Sequence, residues 1–294
     1  MLGQIKLTTD GRMLDKVEIS IERLKAFCPP EGYYVAFSGG KDSQCVYHLC
    51  EMAGVKFDAH YNVTSVDPPE LVRFIKRNYP QVQFDYPRDK DGKVITMWNL
   101  IPRRGIPPTR LARYCCEHFK ESSGIGRITV TGVRWAESTN RAANQGVVRF
   151  SGKPKNTEAA AQEFGADYKT TNRGNIILND DNDEARRMVE HCYRTRKTLV
   201  NPIVDWEDED VWEFLNSNGI EHCCLYDQGY KRLGCIGCPM NTTSRVKDLE
   251  KYPAYKRNYI KAFERMIQMN HEKGIKMKQN WSNGEKVMEW WLGE

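Results

Sequence analysis

Leu14, Val17, Ile21 and Leu24 recur at three- and four-residue intervals, which predicts an amphipathic helix over about 13–27 that Pro29-Pro30 stops. Tyr33-Tyr34-Val35-Ala36-Phe37 is a short apolar run of the kind a buried strand uses. A polar turn follows, and then Val46, Leu49, Cys50 and Ala53 mark the apolar face of a second helix that Gly54 ends. Phe57 to Val63 reads as the next strand, Pro68-Pro69-Glu70 opens a helix carrying Leu71, Val72 and Ile75, and Val82-Gln83-Phe84 is a weaker third strand. Ile128 to Val133 repeats the strand pattern. Alternating strands and helices predict an α/β fold, a parallel sheet with helices on both faces. The pattern degrades over 139–185, where scattered Asn, Gly, Lys and Asp are broken by Ile176-Ile177-Leu178; this stretch is expected to be a mobile loop or small insertion. Order returns at Asn201, and Asp208, Glu209 and Asp210 occupy the first turn of a helix whose apolar side holds Val211, Trp212, Phe214 and Leu215. Residues 1–205 are expected to form the α/β domain and 206–294 a smaller, mainly helical part.

Composition narrows the class. The 294 residues include seven Trp, fourteen Tyr and ten Phe, too much apolar mass for a disordered chain. No apolar run reaches the roughly 20 residues of a membrane helix, and the start MLGQIKLTTDGRMLDK lacks the order of a secretory signal. The expectation is a cytoplasmic protein with no membrane partner. Net charge is +5, and from Lys231 onward thirteen Lys and Arg face seven Asp and Glu, which leaves a nucleic-acid acceptor open beside a small-molecule one.

The sharpest local chemistry is Ser38-Gly39-Gly40-Lys41-Asp42-Ser43, set between a buried strand and a helix. Two glycines let the backbone turn its N–H groups toward an anion, and the helix start adds partial positive charge. Lys41 is expected to point at phosphate oxygens, with the Ser38 and Ser43 hydroxyls donating. The spacing is too short for a Walker loop. Arg134 and Arg141 flank a strand end, where their planar donors suit phosphate or sulfate; ion pairs to Glu137 are the plainer alternative. Asp67, just past the second strand, could hold ribose or Mg²⁺, or simply cap a helix. Arg103-Arg104 and Arg110-x-x-Arg113 form either a binding patch or a solvated face.

These motifs resemble a known family. Ser38 to Ser43 after a buried strand is similar to the PP-loop of the N-type ATP pyrophosphatases. Thr131-Gly-Val-Arg-Trp-Ala-Glu-Ser138 with Arg141, Asn201-Pro-Ile-Val-Asp-Trp206 with Asp210-Val-Trp212, and Leu225-Tyr-Asp-Gln-Gly-Tyr230 with Gly234-Cys-Ile-Gly-Cys-Pro239 resemble elements of the phosphoadenosine-phosphosulfate (PAPS) reductase family, in its order, over about 30–240. The resemblance implies a Rossmann-like, adenine-nucleotide α-hydrolase-type core. Ser38, Gly39, Gly40, Lys41, Asp42 and Ser43 would cradle the phosphates of Mg²⁺–ATP, with Asp67, Arg134 and Arg141 as further nucleotide contacts and Lys41, Asp42 and Arg134 as the catalytic groups.

Six of ten cysteines fall in the close pairs 115/116, 223/224 and 235/238. In a cytosolic chain clustered thiols are metal ligands or redox groups more often than disulfides. Cys115-Cys116 with Cys235-x-x-Cys238 supplies four thiolates for an iron–sulfur cluster or zinc. Adjacent cysteines converge on one small ion with difficulty, so a 4Fe–4S cluster is preferred to zinc. The resemblance points the same way, since adenylyl-sulfate reductases carry a cubane on a CC pair plus a CxxC pair. Those reductases also present a nucleophilic tail cysteine, whereas the sequence here ends Gly284-Glu-Lys-Val-Met-Glu-Trp-Trp-Leu-Gly-Glu294 and has no cysteine after Cys238. Cys45, Cys192 among Arg194, Arg196 and Lys197, and Cys223-Cys224 are other thiols, read first as core residues. The leading expectation is an ATP-dependent adenylyl-transferring enzyme that releases pyrophosphate and serves sulfur transfer, with a sulfur donor or partner protein. Sulfonucleotide reduction through another thiol, and a non-catalytic nucleotide-sensing subunit of a regulatory or defence complex, are the alternatives.

Overall fold

The computed structural model describes residues 6–7, 13–121, 123–151, 154–172, 174–194, 197–241, 244–277, 279 and 281–293. Most of the N-terminal stretch compared with a secretory signal lies outside them, as does Arg196. The elements in chain order are β1 (Lys6–Leu7), β2 (Met13–Leu14), α1 (Lys16–Ala26), β3 (Tyr33–Ala36), α2 (Lys41–Ala53), β4 (Phe57–Asn62), α3 (Pro69–Asn78), β5 (Gln83–Asp85) and α4 (Met97–Arg104). The short α5 (Tyr114–Cys116) runs into a π-helical turn, Glu117–Glu121. Then come β6 (Ile128–Val130), α6 (Thr139–Asn144), β7 (Val148–Ser151), α7 (Pro154–Phe164), β8 (Lys169–Thr170), β9 (Ile176–Leu178), α8 (Asp183–Cys192), β10 (Lys197–Val200), α9 (Asp208–Ser217), α10 (Arg245–Lys251), α11 (Pro253–Glu272) and α12 (Gly284–Leu292).

The main sheet has eight strands in the order β5-β4-β3-β6-β10-β7-β9-β8. Its centre, β4-β3-β6-β10, is parallel, as the strand–helix alternation predicts. Beyond β10 the sheet turns antiparallel, through β7, β9 and β8. This extension comes from the stretch expected to be a mobile loop or small insertion. Its strands are only two to four residues long, too short to show a period in sequence. Even so, Val148, Phe150, Ile176 and Leu178 are all buried.

The chain forms two compact units. The first is Met1–Tyr61, Phe74–Gln83 and Gly124–Gly229; the second is Asn62–Arg73, Phe84–Ser123 and Tyr230–Glu294. The chain is therefore not cut at 205/206 but interleaved, and α9 belongs with the sheet. The second unit is mainly helical and has its own core, in which Ile101, Tyr259, Phe263, Met266, Val287 and Trp291 are buried. There α4 and α12 both pack on α11. Among the described residues no helix is long and apolar enough to cross a membrane.

Local chemistry explains the helix ends near the site. Asp15 and Glu18 form a capping box at the start of α1. Gly54, with φ +65°, closes α2 in the left-handed conformation that favours glycine. Glu207 and Asp210 box the start of α9.

Candidate functional site

Within the first unit the chain passes from β3 outward to β4 and returns to β6 on the other side of β3. The carboxyl ends of β3 and β6 therefore flank a topological switch point, the place where open α/β sheets bind ligands. Ser38 to Ser43 follows β3 there. Gly39 has φ +71°, a conformation glycine adopts without a Cβ penalty. The Ser43 hydroxyl donates to the Gly40 carbonyl at 2.9 Å, accepts from the Ser38 amide at 3.1 Å, and lies 3.1 Å from the Ser38 hydroxyl. The loop is thus held closed by its own serines. Gly40 caps α2 without any side-chain hydrogen bond, and the Lys41 amide donates to the Tyr226 hydroxyl at 2.9 Å. A helix start without a side-chain cap presents amide donors to an anion.

The Thr131-Gly-Val-Arg134 segment extends from β6. A Cβ on Gly132 would stand 2.8 Å from both the carbonyl carbon and the oxygen of Asp42, so glycine is what lets the two loops touch. Two residues on, Arg134 is 2% exposed. Its Nε donates to Asp42 at 2.7 Å, its Nη1 to the Trp206 carbonyl at 3.1 Å, and its Nη2 to Asp208. Lys41 Nζ bonds the same two carboxylates, Asp208 at 2.8 Å and Asp42 at 3.2 Å. Burial alone would raise the Asp208 carboxyl, yet the bonds from Lys41 and Arg134 hold it below its ordinary value. Burial works against the Arg134 charge, and Asp42 and Asp208 more than restore it.

The Lys41 side chain is therefore paired to carboxylates and almost wholly buried, whereas the sequence points it at phosphate oxygens. Two cations share two carboxylates, one of which, Asp208, is largely exposed. Asp208 was noticed in sequence only as an acidic residue in a helix's first turn, and Tyr226 only as part of a motif. Their proximity to the loop depends on how far-separated segments meet. Arg141 forms an ion pair with Glu137, whose carboxylate also accepts from the Arg134 amide at 3.3 Å.

Asn201 to Trp206 latches onto α1. The Pro202 carbonyl accepts from Ser20 at 3.0 Å and from Arg23 at 2.8 Å. Arg23 also grips Asp205 through two bonds of 2.8 Å, and Trp206 Nε1 donates to Ser20 at 3.1 Å. The Asn201 side-chain Nδ2 donates to the Gly146 carbonyl at 2.8 Å. This motif acts as a brace behind Asp208.

Asp67 lies in the second unit, where its carboxylate accepts from the Thr64 amide at 2.9 Å. Arg103 pairs with Asp89, Arg104 with Glu117, and Arg113 with Glu121. Cys45, Cys192 and Cys223 are buried; burial pushes the Cys45 thiol well above its ordinary value.

All four cysteines of the CC and CxxC pairs belong to the second unit, each partly buried and free. Cys235 and Cys238 flank a turn closed by the Cys238 amide on the Cys235 carbonyl at 3.2 Å. Gly237 turns with φ +69°, and Ile236 is fixed on both sides, its amide to Val66 O at 2.8 Å and its carbonyl to Tyr259 OH at 3.0 Å. The neighbouring thiols Cys115 and Cys116 share a hydrogen bond that, with Arg113, holds Cys116 down at about 5 and raises Cys115; Cys235 and Cys238 raise Cys115 further. Lys120, four residues after Cys116 and missed in sequence, has its ammonium favoured by Cys235, Asp67, Cys116 and Cys238. Among the described residues no group of three or more His, Cys, Asp or Glu side chains is drawn together to hold a single metal ion. Neither the 4Fe–4S cluster nor the zinc alternative is shown by this arrangement.

Fold and loop define an α/β protein with a glycine-containing loop at its switch point. The chain belongs to the phosphoadenosine phosphosulfate reductase domain family, whose sequence profile matches residues 32–241. It is 24% identical over 267 residues to an uncharacterised protein of Methanocaldococcus jannaschii, covering 86% of this chain and 53% of that one. The chain thus spans about half the length of that relative. A 55-residue segment, 19% of this chain and 21% of the other, is 38% identical to adenosine 5′-phosphosulfate reductase of Oceanobacillus iheyensis. Among solved structures, the phosphate complex of Candida auris phosphoadenylyl-sulfate reductase is similar at TM-score 0.43 and 13% identity, covering 79% of this chain and 98% of that one.

Proposed function

We propose that the loop Ser38–Ser43 takes the phosphates of Mg²⁺–ATP and that the chain adenylates an acceptor. The observation that carries this reading is the α2 N-terminus, where Gly40 brings no capping side chain and Tyr226 takes the Lys41 amide, flanked by Lys41 and Arg134 on the shared carboxylates Asp42 and Asp208. The helix amides and Lys41 suit polyphosphate oxygens, and the two carboxylates suit the accompanying Mg²⁺. Arg134 holds Asp42 and Asp208 in place and keeps the site's positive charge when Lys41 turns to substrate. An acceptor oxygen attacks the α-phosphorus; the new O–P bond forms as the bond to pyrophosphate breaks, and the acceptor loses its proton to solvent or a basic group. A sulfur donor can then displace AMP. The acceptor is a nucleic acid or a small molecule.

Cys115, Cys116, Cys235 and Cys238 would hold a 4Fe–4S cluster. The all-sulfur donor set fits it, as does the basic surround of Arg113 and Lys120. When bound, such a cluster supplies a sulfur carrier or a structural anchor. The test is a pyrophosphate-release assay on anaerobic protein with Mg²⁺–ATP and a panel of acceptors, run beside a sulfite assay with adenylyl sulfate and its 3′-phosphorylated form. Acceptor-dependent pyrophosphate supports the reading. Sulfite at enzyme-like turnover with no pyrophosphate from ATP overturns it in favour of reduction.

A further inference from the structure

Arg245, the first residue of α10, is 9% exposed, and among the described residues its Nε and Nη2 have no hydrogen-bond partner. Its guanidinium carbon lies 3.7 Å from the centre of the Trp291 ring. Among the described residues no carboxylate pairs with it. Asp248, one turn along the same helix, accepts instead from the Ser244 hydroxyl at 3.2 Å through Oδ2, and among the described residues its buried Oδ1 has no hydrogen-bond partner. A buried cation with free donors is costly unless an anion completes it. The anion's position follows from the surroundings. Trp291 packs beside the CxxC turn, since a Cβ on Gly237 would meet its ring, Tyr259 and Leu249 at 3.3 Å each. Cys238 is also the cysteine whose thiolate acts on the Arg245 charge.

We infer that Arg245, seated on Trp291, is a positioning residue for an anion bound at the Cys235–Cys238 turn, and that this anion is the thiolate-held iron–sulfur cluster proposed above. The inference rests on that cluster reading. A cubane on four thiolates carries net negative charge that grows on reduction, so a nearby fixed cation favours its assembly and its reduced form. Arg113 serves the CC side and Lys120 both pairs; Arg245 serves the CxxC side. The two free guanidinium donors are suited to cluster or cysteine sulfur.

The sign of the effect separates this role from packing. Without the cluster, Arg245 is an unpaired buried charge, so Arg245→Met should leave the iron-free protein as stable as the parent or more so. With the cluster, the same change should lower stability and shift the midpoint potential to more negative values. Full-length parent, Arg245→Met and Arg245→Lys are reconstituted anaerobically with iron and sulfide. Iron per chain, the potential from a dye titration followed by electron paramagnetic resonance, and melting temperatures of loaded and stripped forms are measured. The expected result is a more negative potential and a lower loaded melting temperature for the Met variant only, with Lys closer to the parent. An Arg245→Met protein that folds when stripped but assembles no cluster, while Arg245→Lys does, also supports the inference. Loaded parent and Met variants with one potential, or equal destabilisation of both forms, would leave Arg245 a packing residue and the cluster reading intact. A parent that takes up no iron overturns the cluster reading and Arg245's role with it.

Discussion

At the scale of single residues, the Ser38–Ser43 loop depends on a few contacts with no slack. Gly132 is the clearest, because any side chain there meets the Asp42 backbone at 2.8 Å. Gly132→Ala is expected to push the start of α2 away and to cost about 1–3 kcal/mol, the usual range for overpacking, as a lowered urea midpoint. Nucleotide binding should fall with it. Lys41 and Arg134 share Asp42 and Asp208, so losing one cation leaves the other to neutralise both. Arg134, the more central of the two and bonded also to Trp206, should be the costlier loss. Arg134→Met is expected to lower the urea midpoint more than Lys41→Ala does, and the reverse order would contradict the network as described. The loop glycines, Lys41 and Arg134 were all legible in sequence because their chemistry is local. Asp208, Tyr226 and Lys120 were not, because only the fold brings each to its partners.

At the scale of elements, the Asn201–Trp206 segment fixes α9 and Asp208 by gripping α1. Burial would raise the Asp205 carboxyl, but the paired bonds from Arg23 leave it below its ordinary value of 3.8. A carboxylate depressed in the folded state stabilises above its unfolded pKa and loses that contribution as pH falls through the folded one. The parent's urea midpoint should therefore drop as pH falls through and below 3.8, and part of that drop should vanish in Asp205→Asn, which starts lower at pH 7. Equal acid sensitivity in parent and variant would remove the brace from the account. The same scale shows where the pattern failed. The parallel strands β3 and β6 lie in apolar runs and β4 alternates, whereas β7 and β8 are broken by polar residues and β9 is a lone apolar triplet; their order is built outward from β10 through β7 and β9.

At the scale of the whole molecule, the sequence suggested a cut at 205/206, yet the chain crosses between its two units repeatedly. Periodicity reports which residues are buried together locally; it carries no record of which distant segments share a core. The second unit gathers Cys115, Cys116, Cys235 and Cys238 from segments more than a hundred residues apart, and metal ligation across such a span contributes to folding free energy. Cys235→Ser or Cys116→Ser should lose iron and lower the melting temperature together, while Cys28→Ser, in the first unit, should keep its iron; a colourless parent containing one zinc per chain would replace the cluster. The central claim is the nucleotide site at the switch point, and calorimetric titration of the full chain with Mg²⁺–ATP tests it most directly. The parent should bind, and Lys41→Ala should bind more weakly by about 1.5–3 kcal/mol, the range for hydrogen bonds to charged groups. Equal affinity in the two proteins, or no binding by the parent, would contradict it.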